Sequence, residues 1–373
     1  MRTRVNRAAV TILLLSACSP GLQRPRPADI SGKLPRALAS ITPDELKGDL
    51  SFLASDALQG RYTPSPGLDT AAEFIASRFR AIGLEPAGDS GYFQTAVLVN
   101  HKFMPPHTPR ANATPALVKN VVAALPGSDP KLKNTFVLLS AHYDHLGTTA
   151  TAGKEAAARP QPNSADQIYN GANDDGSGVV SVIAIAKALA SVRPRPKRTI
   201  VFITFAGEEL GLLGSKYYAA HPAFPLAETV ADLNLEQLGR TDSPEGREVN
   251  KITLTGFDYS NLPTLLEQAG RATGISIYVQ RKESNDYFVR SDNESLAKRG
   301  VPAHTLCVAF DYPDYHRVGD EWQKIDYDNM ARVDRMIALC VLNLANGTQT
   351  PVWNPANPNT AAWRDAERRL HGN

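Results

Sequence analysis

Two hydrophobic rhythms alternate along the chain. After Thr42-Pro43-Asp44-Glu45, where a threonine can cap and a proline can open a first turn, Leu46, Leu50 and Leu53 recur at helical spacing. Residues 68–82 form a second amphipathic pattern, stopped by Gly83. Short apolar runs then predict strands at 119–125 and 135–141, with a Pro-Gly turn between them. Residues 148–167 are small and polar, a long loop for this position. Residues 177–192 are mostly apolar and read as a helix buried on most faces. Further strands are expected at 199–205, 230–236, 251–255 and 303–310, with helices near 261–272 and 327–345 and no internal repeats. This alternation predicts a single three-layer α/β/α domain. Its central sheet would be mixed and mostly parallel, with the active site at the carboxyl ends of the strands.

An apolar content of 42% over 373 residues is ample for a large core. The net charge of +2 leaves no electrostatic footprint for nucleic acid. The one basic cluster, Arg193 to Arg198, is broken by prolines and reads as a solvated loop. Arg2, Arg4 and Arg7 precede an apolar stretch from Ala8 to Leu15 that is too short to span a membrane. It leads into Leu15-Ser16-Ala17-Cys18, similar to the lipobox of bacterial lipoproteins. The expectation is a signal peptide over 1–17, a lipid anchor at Cys18 and a flexible tether over 18–38. A single folded domain over 39–350 and a C-terminal extension over 351–373 would follow. Ser19 after the cysteine resembles the outer-membrane sorting pattern, which places the protein in the bacterial cell envelope, facing the periplasm; an ordinary cleaved signal is the alternative. Asn112-Ala113-Thr114 reads as an accidental sequon. Cys307 and Cys340 lie in apolar runs, and either a disulfide or two buried thiols fits them.

Five segments end hydrophobic runs with ligand-type residues: Ser140 to Asp144, Gly171 to Gly178, Gly207-Glu208-Glu209, Asn234-Leu235-Glu236 and Tyr315-His316. Imidazoles and carboxylates together suit zinc and leave room for bound water. In an extended segment His142 and Asp144 share a side, so one ring nitrogen can take a metal while Asp144 accepts the other N–H. His145 falls on the opposite side by the same alternation and is left out of the set. Adjacent like charges at Glu208 and Glu209 raise one another's pKa unless a cation binds one of them. Each segment alone has a bland reading: a solvated pair, an acidic turn or a capped helix start. The set spans His142 to His316, so the whole stretch must converge in one domain.

In this order the motifs His-x-Asp, Gly-Ala-x-Asp-Asp-x-Ser-Gly, Gly-Glu-Glu, Asn-Leu-Glu and Tyr-His resemble metallopeptidase family twenty-eight, the co-catalytic zinc aminopeptidases related to aminopeptidase Y. Leu53 to Arg61, Asn120-Val121-Val122, Arg290-Ser291-Asp292 and Gly300 to Ala303 are similar to family segments as well. The resemblance implies two zinc ions per chain. Asp174 would bridge them, His142 and Glu236 would hold one, and Glu209 and His316 the other. It also implies Glu208 as general base, Asp144 as the partner of His142, and Tyr315, or less directly Arg290, at the developing oxyanion. A cis peptide between Asp174 and Asp175 is implied too. Glu236 stands where the family commonly has Asp, and Asn293 where a histidine is frequent. The implied partner is a peptide with a free N-terminus, with no obligate protein partner. Glutaminyl cyclase or carboxypeptidase activity, or a non-catalytic binding ectodomain, are the alternatives. Residues 97–118 are too few for an inserted protease-associated domain.

Overall fold

The computed structural model describes residues 34–108, 116–152 and 165–372. The expected signal peptide, lipobox and most of the tether lie outside these residues. So do the sequon at Asn112 and most of the 148–167 loop, and residues 109–115 of the stretch judged too short for an insert.

Among the described residues, ten α-helices form in chain order. They are α1 (Leu34–Ala39), α2 (Pro43–Leu53), α3 (Pro66–Ile82), α4 (Ser177–Ser191), α5 (Leu213–Ala220), α6 (Leu262–Thr273), α7 (Arg281–Tyr287), α8 (Asn293–Ala297), α9 (Tyr327–Asn346) and α10 (Ala361–Leu370). Local chemistry sets several of their ends. Thr42 Oγ1 accepts from Glu45 N at 3.3 Å to cap α2. Ser65 caps α3 ahead of Pro66, and Gly83 ends that helix at φ 84°. Asp326 accepts from Asn329 N at 3.0 Å to open α9.

The main sheet comprises β1 (Glu85–Pro86), β2 (Phe93–Val99), β3 (Lys102–Met104), β4 (Ala116–Leu125), β5 (Phe136–His142), β6 (Thr199–Phe205), β7 (Thr229–Leu235), β8 (Lys251–Leu254), β9 (Ser276–Ile277) and β10 (Ala303–Cys307). Its order is β9-β8-β10-β7-β5-β6-β4-β2-β3, with β1 beside β4. The four central strands β10, β7, β5 and β6 run parallel. Antiparallel pairing takes over at β4 on one side and β8 on the other. Period-two alternation divides the core between two layers. Val137, Leu139, Ala141, Ile200 and Phe202 face the cluster that contains the α2, α3, α4 and α9 side chains. Phe136, Leu138, Val201, Ile203 and Phe205 face the other cluster.

Three features differ from the sequence reading. Helix α1 begins inside the stretch read as a tether. The C-terminal extension is anchored on the second layer: Trp353 is buried and donates Nε1–H to Gly300 O at 3.1 Å, and Trp363 and Leu370 pack against the same cluster. The hairpin of β2 and β3 carried no recognised turn signal, because its two-residue loop is Asn100-His101, at φ 48° and 57°, where glycine is the usual cue. Cys307 and Cys340 are both buried and free, which resolves that choice in favour of two thiols. No helix among the described residues is long and apolar enough to cross a membrane.

Candidate metal centre and active site

The carboxyl ends of the parallel strands deliver the polar residues to one place, where an open α/β sheet gathers its ligands. His142 is the last residue of β5, and Glu236 directly follows β7. Glu208 and Glu209 follow β6 through Gly207, which turns the chain at φ 73°. Asn120 holds that turn by accepting from Ala206 N at 3.1 Å. His316, at φ 55°, stands in the loop beyond β10.

Asp174 precedes α4, and its peptide bond to Asp175 is cis, as the resemblance implied. Asp320 clamps this turn by accepting from the amides of Asn173 and Asp174, each at 3.0 Å, and from the Tyr312 hydroxyl at 2.8 Å. The Asp175 carboxylate accepts from the amides of His142, Gly178 and Gln237 at 3.2, 3.0 and 3.3 Å, joining three of the ligand-bearing segments. Gly178 is required by close approach, since a Cβ there would lie 2.5 Å from that carboxylate and 2.4 Å from Leu235 O.

Asp174 stands between two clusters. Its Oδ1 lies 3.2 Å from His142 Nε2, which is 3.3 Å from Glu236 Oε1. Its Oδ2 lies 3.0 Å from His316 Nε2, which is 3.4 Å from Glu209 Oε2. His142, Asp174 and Glu236 can each bring a ligand atom within 4.8 Å of the others, and so can His145, Asp174 and Glu209. Several of these atoms are buried without a hydrogen-bond partner: His142 Nε2, Asp174 Oδ2, Glu209 Oε1 and both nitrogens of His145. Crowded lone pairs that face a shared space without bonding one another are what a cation-binding set presents. The donors, imidazole and carboxylate, match zinc. The residues fit the metal that the sequence implied.

Asp144 does its work differently from the expectation. The acceptor for His142 Nδ1 is the Asp144 main-chain carbonyl at 3.2 Å, with the carboxylate at 3.7 Å. A carbonyl can only accept, so Nδ1 carries the proton and Nε2 is left to face Asp174 and Glu236. The carboxylate instead accepts from Glu208 N at 3.1 Å and from the Thr63 hydroxyl at 3.1 Å. His145, excluded by alternation, is in the site, because β5 ends at His142 and period two does not extend past it.

Electrostatics separate the adjacent glutamates. Burial raises both; for Glu208 it outweighs the attraction of His142, with the repulsion of Glu209, Glu236 and Asp292 added to it, and the carboxyl stands well above the carboxylate range. For Glu209 burial is overcome by His316 and His145, which hold it down at about 2. Pairs of carboxyls pushed apart in this way divide into proton carrier and permanent anion. Burial, with the nearby carboxylates of Asp174, Glu209 and Glu236, keeps the Tyr315 hydroxyl protonated as a donor, and the ring stacks on His316 at 4.1 Å. These groups open onto a cavity of about 40 Å³ whose lining includes Asp174, Glu208, Glu236, Arg290, Tyr315 and His316, together with Cys307 and Phe310. Arg290 lies over the Tyr287 ring at 4.6 Å.

Sequence reasoning did not single out Arg61, Asp175, Asp320 or His145 for these positions. Arg61 and Asp175 lay within segments already noted, whereas Asp320 has no local motif to mark it.

A probable zinc metalloprotease of Pyrenophora teres f. teres (strain 0-1) is 27% identical over 344 residues, covering 85% of this chain and 68% of its own length. The chain spans half or less of three other curated relatives, among them leupeptin-inactivating enzyme 1 of Streptomyces exfoliatus, 26% identical over 62% of the chain. Among solved structures, the LapA aminopeptidase of Legionella pneumophila superposes with a TM-score of 0.60 at 20% identity, covering 88% of this chain and 79% of its own. A glutaminyl cyclase of Porphyromonas gingivalis gives 0.59 at 16%, covering 80% and 97%. Both likenesses establish the fold. The model of peptidase family M28 matches residues 120–341, more than half of the chain and the span that carries every candidate metal ligand and Glu208, and the chain belongs to that family.

Proposed function

We propose that the protein is a zinc-dependent aminopeptidase with two metal positions, removing N-terminal residues from peptides. The observation that carries this reading is the pair of ligand clusters sharing Asp174, with Glu208 beside them and outside both. Bound there, two zinc ions supply Lewis acidity to the scissile carbonyl and lower the pKa of water. His142 and Glu236 hold one position, Glu209 and His316 the other, and each oxygen of Asp174 faces one of them. Glu208, with its raised pKa, accepts a proton from the attacking water and returns it to the leaving amine. Asp144 fixes Glu208 through its main-chain amide and fixes the His142 tautomer through its own carbonyl. Tyr315 offers an O–H to the developing oxyanion, and Arg290 adds positive charge at the mouth. The acidic cavity wall complements a cationic N-terminus.

A glutaminyl cyclase is the second reading, prompted by the shared fold; the two clusters around Asp174 favour the peptidase. Two experiments test the proposal. Protein titrated with zinc approaches two equivalents, and a firm plateau at one sinks the two-metal reading. Aminoacyl and blocked aminoacyl substrates are compared with and without chelator. Cleavage confined to free-amine substrates and abolished by chelation supports an aminopeptidase, whereas cleavage of blocked peptides alone overturns it. For residues 1–33 the proposal is a lipid anchor at Cys18 on the periplasmic side of a bacterial outer membrane, supported by the basic residues, the short apolar run and the lipobox-like Leu15-Ser16-Ala17-Cys18.

A further inference from the structure

We infer that His145 is a further metal ligand, at the position served by Glu209 and His316, and that it makes the two positions inequivalent. The inference rests on the two-metal reading above and assigns a residue that the family motifs leave out.

The side chain is fully buried, and neither ring nitrogen has a hydrogen-bond partner. An imidazole sealed from water with a ring nitrogen left without a partner is a costly arrangement unless something coordinates it. Nδ1 lies 2.8 Å from Glu209 Oε1, yet the two do not meet hydrogen-bond geometry. His145, Asp174 and Glu209 bring ligand atoms within 4.8 Å of one another, so a common cation can be reached by all three. The imidazoles of His145 and His316 meet edge to face, 5.7 Å between centroids, and Glu209 turns Oε1 to one and Oε2 to the other.

The backbone presents the ring deliberately. Once β5 has ended at His142, His145 N donates to Arg61 O at 3.3 Å. The ring then lies against the Cβ-free face of Gly171, where a Cβ would come within 2.4 Å of Cγ. Gly171 is at φ 54°, so any side chain there would meet both backbone strain and the imidazole. The turn that carries Asp174 is therefore shaped around His145.

The consequence is an asymmetric centre. One position has His142, Glu236 and Asp174, three protein ligands, which is the number an open catalytic zinc site keeps. The other has His145, His316, Glu209 and Asp174, four ligands with two imidazoles, the number of a closed site. The four-ligand position fills first and holds its metal more tightly, and the three-ligand position retains the open coordination for water and substrate.

X-ray absorption of the wild-type protein loaded with one equivalent of zinc reads this directly. Two imidazoles per zinc are expected, from His145 and His316. One imidazole per zinc overturns the inference, since either position without His145 offers only one. A chelator-competition titration supplies the second measurement. His145→Gln weakens the tighter zinc constant by about 100-fold or more, beyond what loss of an outer-shell partner does, and leaves the looser one unchanged. Retention of both constants by His145→Gln refutes the inference alone, provided His316→Gln loses metal. If His316→Gln and Glu209→Gln also retain both constants, the two-metal reading itself falls. Melting of metal-free His145→Gln near the wild-type temperature separates ligand loss from misfolding.

Discussion

Arg61 ties the metal-bearing turns together, and its removal gives the most demanding test of how this fold builds its site. The guanidinium is 1% exposed and donates to four main-chain carbonyls: Tyr143 at 2.8 Å, Leu53 at 2.6 Å, Asn170 at 2.7 Å and Gly171 at 2.9 Å. These acceptors belong to the end of α2, the exit of β5 and the approach to Asp174. Three successive left-handed residues deliver the side chain: Gln59, Gly60 and Arg61, at φ 48°, 66° and 49°. Gly60 cannot be replaced, because a Cβ would sit 2.3 Å from Gly147 O. Burial pulls the Arg61 pKa down to about 10, with Asp144, Asp320, Asp175 and Asp174 opposing the fall, so the cation persists at neutral pH. In Arg61→Leu four buried carbonyls lose this donor. Gly171 O keeps the Gly176 amide at 3.2 Å; at about 1 kcal/mol or more for each of the other three, the loss is at least about 3 kcal/mol, a large part of ordinary domain stability. Arg61→Lys keeps the charge, but a single ammonium cannot span the fork, and about half of that loss is expected. Urea denaturation of the metal-free protein measures both, and zinc affinity should fall in parallel because the turns carrying His142, His145 and Asp174 loosen. If Arg61→Leu unfolds within about 1 kcal/mol of wild type and binds zinc equally well, the tethering argument is wrong.

The adjacent glutamates should separate cleanly. Glu208→Gln lowers turnover by roughly 10²–10⁴-fold with metal content intact, as expected for a lost general base, whereas Glu209→Gln lowers zinc affinity. The reverse outcome, read by metal analysis beside kcat, would exchange their roles. Asp334 on α9 is fully buried, and burial pushes its pKa up to about 8 against the opposing pull of Ser181 and Arg335. The folded value lies above the unfolded one, so the unfolded chain sheds its proton first. Stability therefore falls as pH rises from about 4 to about 8, by up to about 5 kcal/mol, and levels off above. Asp334→Asn should match wild type near pH 4 and exceed it increasingly toward pH 8 in melting temperature; a constant difference would contradict the assignment. Cys18→Ser should move the protein from the membrane to the soluble fraction, and continued membrane fractionation would count against the anchor.

The strongly periodic elements were readable because one physical rule dominated each. Buried parallel strands are continuous apolar runs, as in β5 and β6, and α2 and α3 carry their caps in the sequence. Short elements were not readable. The β2–β3 hairpin lacks a glycine turn, α8 is only five residues long and α10 is strongly polar. The ligands were legible because each strand end is marked by an abrupt change from apolar to acidic or imidazole side chains. Asp320 and Arg61 were illegible as positioning groups because their partners, the Tyr312 hydroxyl aside, are main-chain atoms. Main-chain acceptors leave no chemical trace in a sequence, and Arg61 reaches as far as Gly171, 110 positions along the chain. His145 was lost for a sharper reason: alternation was carried three residues beyond the last one to which it applies.

Glu208 and Glu209 show how far composition alone can go. The two are chemically identical and one peptide bond apart, and the sequence could state only that their repulsion needs a cation. What divides them is the environment each side chain reaches after the Gly207 turn. Asp144 accepts from the Glu208 amide at 3.1 Å and so pins that residue's backbone, while the Glu208 carboxyl shares its surroundings with Glu209, Glu236 and Asp292. The Glu209 carboxylate meets imidazoles on both oxygens, at 2.8 Å from His145 and 3.4 Å from His316. A site that needs one carboxyl able to hold a proton and another that never does can therefore use the same residue twice. The difference lies in the neighbours, and His145 is one of the two that keep Glu209 an anion.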